Sequence, residues 1–154
     1  MPAQNSLIPR RDLFGNPERT MVRLSPDQKL ISWVAPRDGV LNVFVAPLDR
    51  PSDARPVTND RKRGIRFYGW AVDGSRILFI QDVGGDEDWH IHAVDPGVGG
   101  EAVDLTPYQK TTAHWLGQSV DRPGLLAVGL NDRDAAWHDV YLVELSTGKR
   151  ELMF

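Results

Sequence analysis

Three times along this chain the same order of signals returns, at a spacing of roughly 46 to 49 residues, and a period of that length constrains the fold more than any other feature. The first copy has a Ser25-Pro26-Asp27-Gln28 turn, the apolar run Leu30 to Val34, a Pro36-Arg37-Asp38-Gly39 turn and the run Leu41 to Val45. The second has a Val72-Asp73-Gly74-Ser75 turn, the run Ile77 to Ile80, the acidic loop Gly84-Gly85-Asp86-Glu87-Asp88 and the run Trp89 to Val94. The third is looser: Asp121-Arg122-Pro123-Gly124, Leu125 to Val128, the loop Asn131-Asp132-Arg133-Asp134, and Asp139 to Glu144. Short runs rich in Val, Ile, Leu, Phe and Trp, bounded by Asp-Gly, Pro-Gly and Gly-Gly, are strand and hairpin signals. Eleven prolines and fourteen glycines spread through the chain break any helix of ordinary length.

The reading is therefore all-β, a partial β-propeller of about three four-stranded antiparallel blades, near 21–64, 65–111 and 112–154, after an extended leader over 1–20. Inner strands are expected at Met21 to Leu24, Ile65 to Ala71 and Ala113 to Ser119. Outer strands are expected at Arg55 to Thr58, Glu101 to Leu105 and Arg150 to Phe154. The middle strands of a blade are covered on both faces, so they read as nearly continuous apolar runs. Trp33, Phe44, Trp70, Phe79, Trp89, Trp115, Trp137 and Tyr141 are expected to fill the wedge between blades. A propeller ring usually takes four to eight blades. Three leave apolar sheet faces open, which predicts either further blades in a longer parent chain or a homo-oligomer that completes the circle.

With 154 residues, 41% of them hydrophobic, the chain can bury a core. It has no cysteine, which excludes disulfides, thiolate metal sites and a cysteine nucleophile. The first nine residues hold no apolar stretch of the roughly 7–15 residues in a secretory signal, and no run approaches the ~20 of a membrane span. The expectation is a soluble, cytoplasmic protein. The formal net charge of −3 conceals a polarity: residues 21–66 carry nine basic and five acidic side chains, residues 67–111 two and eight. A nucleic-acid partner is not expected, because Arg61-Lys62-Arg63 with Arg66 is one short turn without stacked aromatics, in a chain of pI near 5.8.

Family likeness enters through longer segments. Leu7 to Arg19, followed by Arg23-Leu24-Ser25-Pro26-Asp27, resembles the start of the propeller in prolyl oligopeptidase family serine peptidases, in the bacterial branch of acylaminoacyl-peptidases and dipeptidyl-aminopeptidase-like enzymes. Ala35 to Val43, Gln81 to Trp89, Leu130 to Arg133 and Trp137 to Tyr141 extend the match to nearly the whole chain. The resemblance implies an enzyme in which a propeller caps an α/β-hydrolase domain and admits only short peptides. On that reading this chain is a non-catalytic gate, and its partners are the hydrolase domain, the remaining blades and peptides. The alternative is a stand-alone propeller-type module that binds a protein or peptide and closes its ring by self-association.

No catalytic, cofactor or metal residue is assigned. A hydrolase nucleophile needs a Gly-x-Ser-x-Gly elbow, and Gly117-Gln118-Ser119-Val120-Asp121 lacks the second glycine and falls on an expected strand. His90 and His92, at i and i+2, share one face of a strand and want a third ligand to hold zinc; a solvated turn beside a polar seam accounts for them. His114 and His138 with nearby carboxylates are a weaker hydrolytic option. The candidates for substrate or partner contact are Arg61 and Arg63, Asp86 and Glu87, and Asp132 and Arg133, all in turns, where propellers carry binding groups.

Overall fold

The computed structural model describes residues 8–15 and 18–153. Twelve strands form three four-stranded sheets, each an antiparallel meander in chain order. The first holds β1 (Thr20–Leu24), β2 (Leu30–Arg37), β3 (Val40–Pro47) and β4 (Arg55–Pro56). The second holds β5 (Tyr68–Trp70), β6 (Ile77–Gln81), β7 (His90–Val94) and β8 (Val103–Asp104). The third holds β9 (Ala113–Ser119), β10 (Arg122–Asp134), β11 (Trp137–Glu144) and β12 (Arg150–Leu152). This is a partial propeller of three blades.

Local chemistry fixes the turns. Ser25 Oγ donates to Asp27 Oδ1 at 2.6 Å and accepts the Leu30 N–H at 2.9 Å, while Gln28 adopts φ +58°. The β2–β3 hairpin closes Arg37 onto Val40 through Asp38 at φ +52° and Gly39 at φ +82°, both in the left-handed region that two-residue hairpins of matching twist require.

The repeat is also legible in hydrogen bonds. Val57 donates to the Val43 carbonyl, Leu105 to that of Ile91 and Met153 to that of Val140. Beyond the first two, a threonine hydroxyl latches the outer strand to its neighbour: the Val43 N–H donates to Thr58 Oγ1 and the Ile91 N–H to Thr106 Oγ1, each at 2.9 Å. Ile65 then donates to the Leu41 carbonyl, and Ala113 to that of Trp89, which carries the chain to the next inner strand.

Cores lie between the blades. Val34, Val43, Val45 and Val57 of the first sheet meet Ile65, Tyr68, Ile77, Phe79 and Val94 of the second. Leu78, Ile91, Ala93 and Leu105 turn the opposite way, onto Ala113, Leu126, Val128, Leu130 and Val143 of the third. A middle strand such as β6 thus alternates between two cores, which is why its sequence is apolar from Ile77 through Ile80. Each fully buried aliphatic side chain contributes about 1.5–3 kcal/mol.

Several expectations are corrected. The stretch read as an extended leader contains one turn of helix, α1 (Arg10–Phe14), started by the Asp12 N–H donating to the Pro9 carbonyl; residues 1–7, 16 and 17 lie outside the described ones. Inner strand β5 is shorter than expected, and so are outer strands β4 and β8, beyond which the Thr58 and Thr106 hydroxyls take over part of the ladder. Of the turns expected in the third blade, Asp121 to Gly124 and Asn131 to Asp134, only Asp121 lies in a turn, and Arg122 to Gly124 and Asn131 to Asp134 are strand. Register shifts between Arg122 and Ala127 leave Pro123, which lacks an N–H, outside regular pairing. The far end of β10 is held by cross-strand pairing of Leu130 with Asp139 and Asp134 with Trp137, not by an apolar pattern. Trp137 does not fill a wedge: it is 73% exposed at that hairpin tip, whereas Trp33 is 4% exposed.

Candidate functional site

In the first two sheets the hairpin between second and third strands and the connection to the next blade emerge at the same end, which is also that of the β10–β11 hairpin. All six candidate contact residues lie on that end. Arg63 crosses the seam between the first two blades, where its Nε and Nη2 donate to Asp82 Oδ1 and Oδ2 at 3.1 and 3.0 Å. At the opposite end of the same seam, Arg55 donates to the Pro96 and Gly97 carbonyls. Part of the charge polarity between blades is therefore used to join them. Asp86 accepts the Val83 and Asp88 N–H groups and so shapes its own loop. Asp132 lies 2.7 Å from Arg150, and Arg133 donates to Asp139 at 2.5 Å, which holds the Asp139 carboxyl below its ordinary range. Arg61 and Glu87 are exposed and make no ion pair among the described residues.

The turn carrying Arg61 is built around one carboxylate. Asp60 accepts the N–H groups of Lys62 and Arg63 at 3.1 Å, that of Gly64, and the Gln81 side chain at 2.7 Å. Its own N–H donates to Asn42 Oδ1 at 2.8 Å. Gly64 has φ +79° and packs on Leu41, so a side chain there meets both strain and contact.

Polar and aromatic partners replace the metal-like reading of the histidines, which lie on the face of β7 turned toward the first blade, where His92 lines a pocket with Val57, Ile65 and Phe79. His90 Nδ1 lies 2.7 Å from Asp104 and Nε2 lies 3.1 Å from the Tyr108 carbonyl. His92 stacks on Phe79 at 5.2 Å, and burial lowers its pKa. The guanidinium of Arg150 lies over both Tyr108, at 3.8 Å, and Tyr141, at 4.5 Å. His114 and His138 stack at 4.0 Å across Gly129, and burial followed by His138 lowers the His114 pKa. Ser119 Oγ accepts the Asp121 N–H and closes the β9–β10 turn.

At the inner edge, adjoining this end, lies an open apolar groove of about 570 Å³ lined by Phe67, Ile80, Trp89, His114, Trp115 and Leu116. Phe67 meets Trp115 edge-on at 5.7 Å. The inner strands β1, β5 and β9 include Arg23 and no carboxylate. Aromatic faces beside fixed cations suit a flexible chain with apolar side chains and negative charge.

Such blades make the chain a portion of a β-propeller. No protein-family model matches it. It is 55% identical, over 98% of its length, to dipeptidyl aminopeptidase BIII of Pseudoxanthomonas mexicana, and 33% identical, over 96%, to dipeptidyl peptidase family member 6 of Caenorhabditis elegans. It spans only 22% and 20% of those relatives. Its fold matches the β-propeller domain of the Trilobed protease from Pyrococcus furiosus, with TM-score 0.63 at 21% identity, covering 89% of this chain and 43% of that one. It also matches Pyrococcus horikoshii acylaminoacyl peptidase, with TM-score 0.62 at 20% identity, over 89% of this chain and 25% of that one. The chain belongs with the propeller regions of prolyl oligopeptidase family peptidases.

Proposed function

We propose that this chain is the non-catalytic propeller portion of a prolyl-oligopeptidase-like serine peptidase of the cytoplasm, built of blades near 21–64, 65–111 and 112–154. Its role is to gate the access of peptides to an α/β-hydrolase domain outside these residues. The observation that carries this reading is the 55% identity to a dipeptidyl aminopeptidase over 98% of the chain, which spans about a fifth of that relative. The aromatic groove at the inner edge and the charged turns beside it supply surface for an unfolded peptide. The test uses the full-length protein against peptides of rising length and against folded proteins. Cleavage confined to peptides supports gating; folded proteins digested as fast as peptides of the same sequence overturn it.

A second reading, a self-associating interaction module, draws on the open face of the third blade, where Leu116, Leu125, Ala127 and Leu142 line a groove of about 370 Å³. Light scattering separates the two: a discrete oligomer of the 154-residue chain favours the module.

A further inference from the structure

Several charged side chains on the loop-bearing end are committed. Arg63 is held by Asp82, Asp60 by its own turn, Asp132 by Arg150 and Arg133 by Asp139. The Asp88 carboxylate accepts the Lys110 N–H at 3.0 Å. Three cations of a single segment are not. Arg61, Lys62 and Arg66 are exposed, and none makes an ion pair among the described residues. The segment 60–66 itself carries four cations, Arg61, Lys62, Arg63 and Arg66, and one carboxylate, that of Asp60, so its own charge is positive.

That excess is presented by an ordered support. The Asp60 carboxylate, four times bonded, and the close approach of Gly64 to Leu41 fix the backbone from which Arg61 and Lys62 project. Less ordering free energy is then lost when the side chains engage a ligand. Arg66 immediately precedes Phe67, whose ring forms part of the aromatic groove. A cationic lip therefore adjoins an apolar slot in consecutive residues, the combination that recognises a carboxylate joined to an apolar chain.

We propose that Arg61, Lys62 and Arg66 capture the carboxylate of a peptide whose apolar side chain lies in the Phe67–Trp115 groove. The C-terminal carboxylate is the occupant in view: in a peptide trimmed from its N-terminus, that end trails away from the reacting bond. This inference rests on the peptide-gating reading above. Glu87, the free acid of the neighbouring hairpin, opposes capture and so provides a control of sign.

The experiment measures equilibrium binding of fluorescent hexapeptides to the full-length protein by anisotropy at low and high salt. One pair differs only in a C-terminal carboxylate or amide, and a second pair only in an internal Glu or Gln. The expected result is a carboxylate preference of about three- to tenfold at low salt that shrinks as salt rises, as for a few partly screened ion pairs. The double variant R61Q/R66Q brings the ratio to about one, and E87Q raises it. A response of the second pair alone assigns the lip to acidic side chains and overturns the C-terminal assignment. Equal binding of acid and amide, no binding of either, or a preference that survives R61Q/R66Q overturns the proposal. Cleavage of folded proteins is measured on the same samples: if they stay intact while the carboxylate preference is absent, the lip fails and gating stands, whereas their digestion removes gating itself. Circular dichroism of each variant separates loss of binding from loss of fold.

Discussion

Arg63 and Asp82, nineteen residues apart, form a two-pronged ion pair across the first interblade seam, with the Asp82 side chain 1% exposed and that of Arg63 38% exposed. Removing one partner of a buried pair costs about 3–5 kcal/mol because the other is left uncompensated. Arg63 is partly hydrated, so R63A is expected to cost less, about 2–3 kcal/mol, and D82A less again, since the freed cation can turn to water. Denaturant unfolding of the two single variants and the double variant R63M/D82L checks this. The double variant recovers most of the loss; additive losses would mean that the pair is not coupled.

Tyr68 is the polar centre of the same seam. Its hydroxyl donates to the Met21 carbonyl at 2.8 Å and lies 2.9 Å from Ser32 Oγ, which also accepts from Trp70 Nε1 at 2.9 Å. Y68F removes a partner from the buried Ser32 hydroxyl and from the half-buried Met21 carbonyl and is expected to cost about 1–3 kcal/mol, the usual penalty for an orphaned buried group. Thermal unfolding measures it, and a change within error of zero refutes the assignment.

Two tryptophans read alike in sequence behave oppositely. W33A empties a buried site beside Phe44 and is expected to cost about 3–5 kcal/mol. W137A, at the exposed hairpin tip, is expected to stay within about 0.5 kcal/mol of the parent. Paired unfolding curves decide between them, and similar losses at both positions contradict the placement of Trp137.

His92 sets a sign for pH dependence. Burial lowers its pKa, so between the ordinary histidine value and the folded one the unfolded chain binds the extra proton. Stability is accordingly expected to fall as pH drops from 7 toward 5, and to do so less steeply in H92Q. His114, lowered by burial and by His138, acts in the same direction. A parent whose stability is flat across that window contradicts both.

The repeat made the three-blade fold legible because its turns carry their own chemistry: Ser25 and Asp27 bond within the turn they close, and Asp38-Gly39 can hardly form anything but a tight hairpin. The third blade was misread where that local signal failed. Pro123-Gly124 looks like a turn in any sequence, and only the pairing of β10 with two neighbours makes it strand. Of the candidate contacts, their shared end was accessible from the order of strands and turns. Their partners were not, since Arg63 finds Asp82, and Asp132 finds Arg150, across separations that no local pattern encodes. Tyr68 was missed for the same reason: nothing in Arg66-Phe67-Tyr68 tells which aromatic turns inward to Ser32.

The threonine latches have a consequence for motion. Strands β4 and β8 are each two residues long, and beyond each one the Thr58 or Thr106 hydroxyl holds the neighbouring amide. The amides of Val43 and Ile91 should therefore exchange with solvent deuterium whenever a single side chain rotates away, long before the apolar seams part. The rim of the propeller can thus unclasp one blade at a time while its hub stays shut.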